Sequence, residues 1–210
     1  MTNETKNHSV TLIAKIISVI FHPLFMPVYG LLVIFSAPTL FGFIPVQVKR
    51  ALLLIVLVNN ILLPVSMLLY LWYRRLISTL TIDNSDERFL PLAFTTFFYF
   101  VTLYIFIRFR IPVFIKSYIL SAAIISLVIM LINRKFMISI HGAGAGALLA
   151  LVIVLSYRMM MPLTIFLLPA VIICGLVLSA RLWLGSHSPA EAWWGMALGF
   201  GITAILLSVF

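Results

Sequence analysis

Charged residues are scarce in this chain, and acidic residues are the scarcest. Asp, Glu, Lys and Arg together make up 9% of the 210 residues, and only 5 residues are Asp or Glu. Hydrophobic residues make up 64%, and the mean hydropathy is +1.23. This composition excludes a water-soluble fold. The single cysteine, Cys174, also excludes an intrachain disulfide.

The basic residues exceed the acidic ones, 14 against 5, and give a formal net charge of +9. They occur in brief clusters between apolar runs, and no basic stripe is interleaved with exposed aromatic residues. This pattern suits anionic lipid headgroups and phosphate groups better than nucleic acid. We therefore expect the partners to be the bilayer and a lipid phosphate, with no nucleic acid. No pattern in the sequence predicts an oligomeric state.

Long apolar runs recur along the chain. They cover residues 11–43, 51–73, 89–107, 112–132, 141–157, 162–178 and 189–210. A membrane-spanning helix needs about 20 apolar residues, so the runs predict an all-α bundle of six to seven transmembrane helices, with seven the best count. Because His22, Pro23 and Pro27 interrupt the first run, we expect that span to be kinked or re-entrant.

Seven crossings would bring four polar segments to one face of the membrane, here called the polar side. These segments are the N-terminus and residues 74–88, 133–140 and 180–188. The opposite side would hold Lys49, Arg50, Arg108, Arg110, Lys116 and Arg158, with no acidic residue. Cytoplasmic loops are rich in Lys and Arg, but the count is nearly balanced between the two sides and becomes informative only when Arg88 and Arg181 are set aside as site residues. On that basis we expect the polar side to face away from the cytoplasm, in the cell membrane or inner membrane of a bacterium.

Three separated segments bring unusual side chains to the polar side. They are Glu87 and Arg88, then Ser139 and His141, and finally Arg181, His187 and Glu191. Polar groups at such depth are costly unless they are paired or functional. Two imidazoles, two guanidinium groups and a carboxylate are what metal-free phosphoryl transfer needs, because arginines hold phosphate oxygens while histidines attack phosphorus and protonate the leaving oxygen.

Two of these segments resemble signatures of the type 2 phosphatidic acid phosphatases, a family of integral membrane lipid phosphatases. Arg181-Leu-Trp-Leu-Gly-Ser-His187-Ser-Pro-Ala-Glu191 looks like the third signature, in which an Arg, a His six residues later and an acid four residues after that recur. The acid is usually Asp and is Glu here. Ser139-Ile-His141 is similar to the second signature, Pro-Ser-Gly-His, and keeps the hydroxyl and the imidazole.

The first signature of that family, a Lys seven residues before an Arg-Pro pair, is represented by Arg88 with Pro91 three positions later. Thr81 stands where the lysine is expected, and Lys135 is a candidate to replace it. The resemblance covers the chain from about residue 87 to its end. It implies an N-terminal part, residues 1–86, and a phosphatase core, residues 87–210, within one membrane domain.

The resemblance also implies a role for each residue. His187 would be the nucleophile that forms a phosphohistidine, Glu191 its orienting partner, and His141 the general acid. Arg181, Arg88, Ser139 and Lys135 would bind phosphate, and neither a metal nor a cofactor would be required.

Several of these residues also have ordinary structural interpretations. Ser188 followed by Pro189 and Glu191 is a capping box, so Glu191 could serve only to start a helix. His22 is interpreted as a structural histidine in a broken span, although an ionisable group within a membrane always raises a functional hypothesis. Gly142 and Gly146 are interpreted as a small-residue face for close helix packing.

Two functions remain open at this point. The first is a phosphatase that hydrolyses the phosphomonoester or pyrophosphate of a lipid. The alternative is a non-catalytic relative that binds or transports a lipid or an anion with the same cationic cluster. A structural subunit of a membrane complex is a third, weaker candidate.

Overall fold

The computed structural model describes residues 3–77, 88–133 and 136–209, which form helices joined by short turns. The α-helices are α1 (Asn3–Ile20), α2 (Met26–Ser36), α3 (Val46–Leu57), α4 (Leu63–Tyr73), α5 (Phe89–Arg108), α6 (Val113–Ile132), α7 (Ile140–Arg158), α8 (Thr164–Trp183) and α9 (Pro189–Val209). Seven segments of the described chain are long and apolar enough to cross a bilayer: His8–Ser36, Val46–Tyr73 and the helices α5 to α9. The predicted all-α integral membrane fold is confirmed.

Four spans begin and end within one residue of the predicted runs, and three differ more. The first span ends at Ser36 instead of residue 43. α3 begins at Val46 instead of residue 51, so Lys49 lies within the helix. Its ammonium group donates to the carbonyl oxygens of Gly42 at 2.7 Å and Phe35 at 3.2 Å. α8 continues to Trp183 instead of ending at residue 178, which places Arg181 in its last turn. A cation is favourable there, because the C-terminus of a helix carries partial negative charge.

The first span is broken, as the sequence predicts. A 3₁₀ turn, Pro23–Phe25, separates α1 from α2. Proline has no N–H to donate and does not fit a regular helix interior. The N–H of His22 donates to the Val19 carbonyl and not to the Ser18 carbonyl four residues back. The Ser18 carbonyl is therefore released from the α1 ladder and is available to another element.

α7 is the most buried of the seven spans, and glycines bring α9 close to it. A Cβ added to Gly142 or Gly146 would collide with backbone oxygens of α9, and a Cβ added to Gly195 or Gly199 would collide with backbone oxygens of α7. Small residues on both helices thus allow a close backbone approach, as is common in membrane bundles. The predicted packing role of Gly142 and Gly146 is confirmed.

This close approach predicts that Gly199→Ala destabilises the bundle. The new methyl group would overlap the Ala143 carbonyl, and overpacking of this kind costs about 1–3 kcal/mol. Gly201→Ala is the matched control, because a Cβ at Gly201 meets nothing within 4 Å. Thermal unfolding in detergent should show a lower midpoint for the first variant only. Equal midpoints for the two variants would contradict the packing.

Candidate active site

A cavity of about 160 Å³ lies among α5, α6, α7 and the break between α1 and α2, and reaches the end of α8. Its wall includes four of the residues predicted from the sequence, namely Arg88, His141, Arg181 and His187. Arg88 directly precedes α5, His141 is in the first turn of α7, and Arg181 is in the last turn of α8. The three segments predicted to meet on the polar side therefore share one cavity.

The turn after α8 sets the position of His187. Gly185 has a φ of +62°, a left-handed conformation that glycine adopts without steric cost. The Gly185 N–H donates to the Leu182 carbonyl at 3.0 Å, and the Ser186 N–H donates to the Arg181 carbonyl at 3.2 Å. This is a Schellman motif, which ends the helix and turns the chain. His187 follows this turn directly and lines the cavity.

Glu191 holds His187 and caps α9 at the same time. One carboxylate oxygen, Oε2, lies 3.1 Å from Nδ1 of His187 and also accepts the Ser188 N–H at 3.1 Å. In return, the Ser188 hydroxyl accepts the Glu191 N–H at 3.3 Å, which completes a capping box. Because a carboxylate only accepts, Nδ1 of His187 carries the hydrogen and Nε2 keeps its lone pair. The contact with His187 and the capping box are therefore both present, and the orienting role of Glu191 in catalysis stays a prediction.

The His187 imidazole is almost fully buried, with 2% of its side chain exposed. Burial is the largest influence on its pKa and lowers it, because burial penalises the charged form. The hydrogen bond and the charge of Glu191 raise the pKa, and the positive charges of Arg181 and Arg88 lower it. The net result is a pKa below the ordinary value, so the ring is neutral at neutral pH and keeps a free lone pair.

His141 is held by the broken first span. Its Nε2 lies 3.1 Å from the carbonyl oxygen of Ser18, the group that the break in α1 releases. A carbonyl oxygen only accepts, so Nε2 carries a hydrogen and Nδ1 is left as the second titrating nitrogen. α1 thus orients a residue that lies far away in sequence, on α7.

Ser139 has a different position from the one that its predicted role suggests. It is fully buried, and its hydroxyl accepts the Gly142 N–H at 3.2 Å as the N-cap of α7. Its own N–H donates to the Glu191 carbonyl at 3.2 Å, and it is not part of the cavity wall. Its contact with phosphate stays a prediction. Lys135 and the predicted domain boundary at residues 86 and 87 lie outside the described residues.

His22 is a cavity residue that the sequence interpretation assigned to structure alone. Its Nδ1 accepts the Leu24 N–H at 3.3 Å, so it does cap the 3₁₀ turn. Its ring also lines the cavity, and its centroid lies 5.2 Å from that of His141 with the planes at 85°. The available signal was an ionisable residue beside proline within an apolar run.

Away from the charged end, the cavity extends along the helices. Arg88 and Tyr99 both line it and are eleven positions apart on one helix, which corresponds to roughly 16 Å. Four hydroxyl groups of the deep wall are bonded within the protein at 2.7–2.9 Å: Thr95 to the Pro91 carbonyl, Tyr118 to the Met26 carbonyl, Ser121 to the Tyr118 carbonyl and Ser126 to the Thr96 hydroxyl. The cavity is therefore cationic at one end and largely apolar at the other.

A scan against protein-family models, a search of curated proteins and a search of solved structures found no match to this chain.

The balance of charges around His187 predicts how its pKa responds to mutation. In Glu191→Gln the amide keeps a hydrogen-bond acceptor but loses the negative charge that raises the pKa. Histidine-selective NMR titration should place the midpoint of wild-type His187 below the ordinary value of about 6.5, and that of the variant lower still. The His187 signal is assigned by its loss in His187→Asn. A midpoint that rises in Glu191→Gln would contradict the arrangement.

Proposed function

We propose that the protein is a lipid phosphate phosphatase related to the type 2 phosphatidic acid phosphatases. It would hydrolyse the phosphomonoester or pyrophosphate of a membrane lipid through a phosphohistidine. One observation carries the proposal: a neutral, oriented His187 lies in the same cavity as Arg88, Arg181 and His141. These groups match the needs of phosphoryl transfer, in which the protein mainly positions the phosphate and stabilises its charge.

In the first step Nε2 of His187 attacks phosphorus. The P–N bond forms as the bond from phosphorus to the leaving oxygen breaks, and His141, which enters this step protonated on both nitrogens, gives its Nδ1 proton to that oxygen. Glu191 accepts the hydrogen bond from Nδ1 and stabilises the positive charge that develops on the ring. Arg88 and Arg181 bind the phosphoryl oxygens.

In the second step water attacks the phosphohistidine. His141, now neutral, takes a proton from the water as the P–N bond breaks, which releases inorganic phosphate and restores His187. The reversal of the role of His141 follows from its place beside the reacting phosphorus in both steps. The described residues include no group of three or more His, Cys, Asp or Glu that could hold a metal ion, and this mechanism uses side chains alone.

The shape of the cavity supports a lipid as substrate. Its cationic end suits a phosphate, and its deep end offers mainly apolar side chains, with four hydroxyl groups that already have partners and the hydroxyl of Tyr99. A sugar or a nucleotide would need free hydrogen-bonding groups along that wall. A hydrocarbon tail needs none, and its burial is favourable at about 25 cal/mol per Å² when it comes from water.

The orientation is part of the proposal. At the end of the bundle opposite the site, the helix ends and turns carry Lys49, Arg50, Arg108, Arg110, Lys116 and Arg158 and no acidic residue. The two ends carry similar numbers of Lys and Arg, so the positive-inside rule favours a cytoplasmic position for this end only when Arg88 and Arg181 are set aside as site residues. The site would then face away from the cytoplasm of a bacterial cell, near the outer surface of its cell or inner membrane.

The proposal predicts metal-independent release of phosphate. Purified protein in detergent with EDTA should release phosphate from at least one member of a panel of lipid monophosphates and diphosphates. His187→Ala should abolish the release because the nucleophile is lost. Arg181→Ala should slow it roughly 100-fold or more, the usual effect of removing a group that stabilises transition-state charge.

Matched controls use residues of the same type that lie outside the cavity. His8→Ala and Arg110→Ala should retain wild-type rates, since neither residue lines the cavity. A strict requirement for a divalent metal would contradict the mechanism. Lipid binding without any release would favour the non-catalytic, lipid- or anion-binding relative instead.

A further inference from the structure

His22 occupies a position in the cavity that the proposed mechanism does not use. The turn that carries it packs directly on α7, where a Cβ added to Gly144 would lie 2.9 Å from Met26 Cγ and 3.5 Å from Pro23 Cα. This contact places the His22 ring edge-on to the ring of His141, with 5.2 Å between their centroids. Only a small residue at Gly144 allows the approach, so the chain brings the two imidazoles together at a specific packing contact.

The hydrogen bonds of the two rings fix where their hydrogens lie. Nδ1 of His22 accepts the Leu24 N–H, so in the neutral ring the hydrogen is on Nε2, which makes that nitrogen a donor. Nε2 of His141 donates to the Ser18 carbonyl. The site thus contains His141, whose Nδ1 can exchange a proton with the substrate in the proposed mechanism. Beside it lies His22, whose Nε2–H is not used by the cap of the 3₁₀ turn.

A leaving group with several oxygens would use both rings. The leaving oxygen of a phosphomonoester becomes an alcohol, and His141 alone suffices to protonate it. The leaving group of a diphosphate is itself a phosphate, with further charged oxygens that can accept a second N–H. The described side chains that line the cavity include Arg88 and Arg181 and no acidic residue, which also favours the more negative headgroup.

We propose that His22 is a substrate-binding residue that donates its Nε2–H to a leaving group that is itself a phosphate, so that the site favours lipid diphosphates over lipid monophosphates. The inference rests on the proposed function, because it assumes that the cavity holds a phosphorylated headgroup with its leaving side toward His141. It gives the broken first span a direct part in substrate choice.

Two substitutions of His22 separate its role as the N-cap of the 3₁₀ turn from its proposed role as a hydrogen-bond donor to the substrate. In His22→Asn, the side-chain oxygen takes the place of Nδ1 and keeps a favourable N-cap, while the distal N–H is lost. In His22→Gln, the longer side chain can bring an amide N–H near the position of Nε2, while the cap is weakened. A purely structural His22 therefore predicts a milder effect for Asn, and a substrate-binding His22 predicts a milder effect for Gln.

The test measures binding, so that it does not depend on turnover. The probes are farnesyl methylenediphosphonate and farnesyl phosphonate, which share one tail and resist hydrolysis, titrated into purified protein in detergent. His22→Asn should weaken binding of the diphosphonate about tenfold, the usual effect of losing a hydrogen bond to a charged group, and binding of the monophosphonate less than about twofold. His22→Gln should keep most of the preference, and thermal unfolding should confirm that both variants are folded.

The inference is overturned if His22→Asn keeps the wild-type preference, or if it weakens both probes equally. Phosphate release from farnesyl diphosphate and farnesyl phosphate, measured in parallel, tests the proposed function separately. Release that persists with an unchanged preference in His22→Asn would remove the role of His22 and leave the phosphatase in place. Selective binding without any release by the wild type would keep the role of His22 and remove the phosphatase.

Discussion

A polar group inside a bilayer must find its partner within the protein, because lipid offers none. Much of this structure follows from that constraint. The buried hydroxyl groups of Thr96 and Ser126, on neighbouring helices, are 2.8 Å apart and bond to each other, and the Thr102 hydroxyl donates to the side-chain oxygen of Asn60 at 2.7 Å. The Ser18 carbonyl, which the break in α1 removes from its helical ladder, is bonded by His141. A backbone carbonyl that has no hydrogen bond within its own span thus orients a side chain of another span.

The same constraint confines charged side chains to the ends of the bundle, and the site lies at one of them. Arg181 lies at the C-terminus of α8, and the Schellman turn at Gly185 places His187 immediately beyond it. Glu191 lies in the first turn of α9, and one of its carboxylate oxygens bonds both the Ser188 N–H at the helix start and the His187 imidazole. The same carboxylate therefore caps α9 and orients His187. A substitution of Glu191 should change both the orientation of the His187 ring and the start of α9.

The sequence predicts much of the fold and part of the site. Seven spans follow from run length and composition, and an even number of crossings between the polar segments predicts that Arg88, His141 and His187 lie on one face of the membrane. The position of His22 does not follow from any periodicity. It depends on the dihedral angles of a 3₁₀ turn and on the close approach at Gly144, which are tertiary features. Ser139 is the opposite case. Its predicted role was to bind phosphate, but its hydroxyl accepts the Gly142 N–H and so caps the start of α7.

The central claim is that His187 attacks phosphorus and carries the phosphoryl group. The direct measurement is rapid mixing with a lipid phosphate substrate, quenching in base to preserve the P–N bond, and peptide mass spectrometry. The account predicts a phosphoryl group on His187 that appears before phosphate is released, is absent from His187→Ala, and persists longer in His141→Ala because hydrolysis loses its base. Release of phosphate by the wild type without any labelled His187, or with the label on another residue, would contradict it.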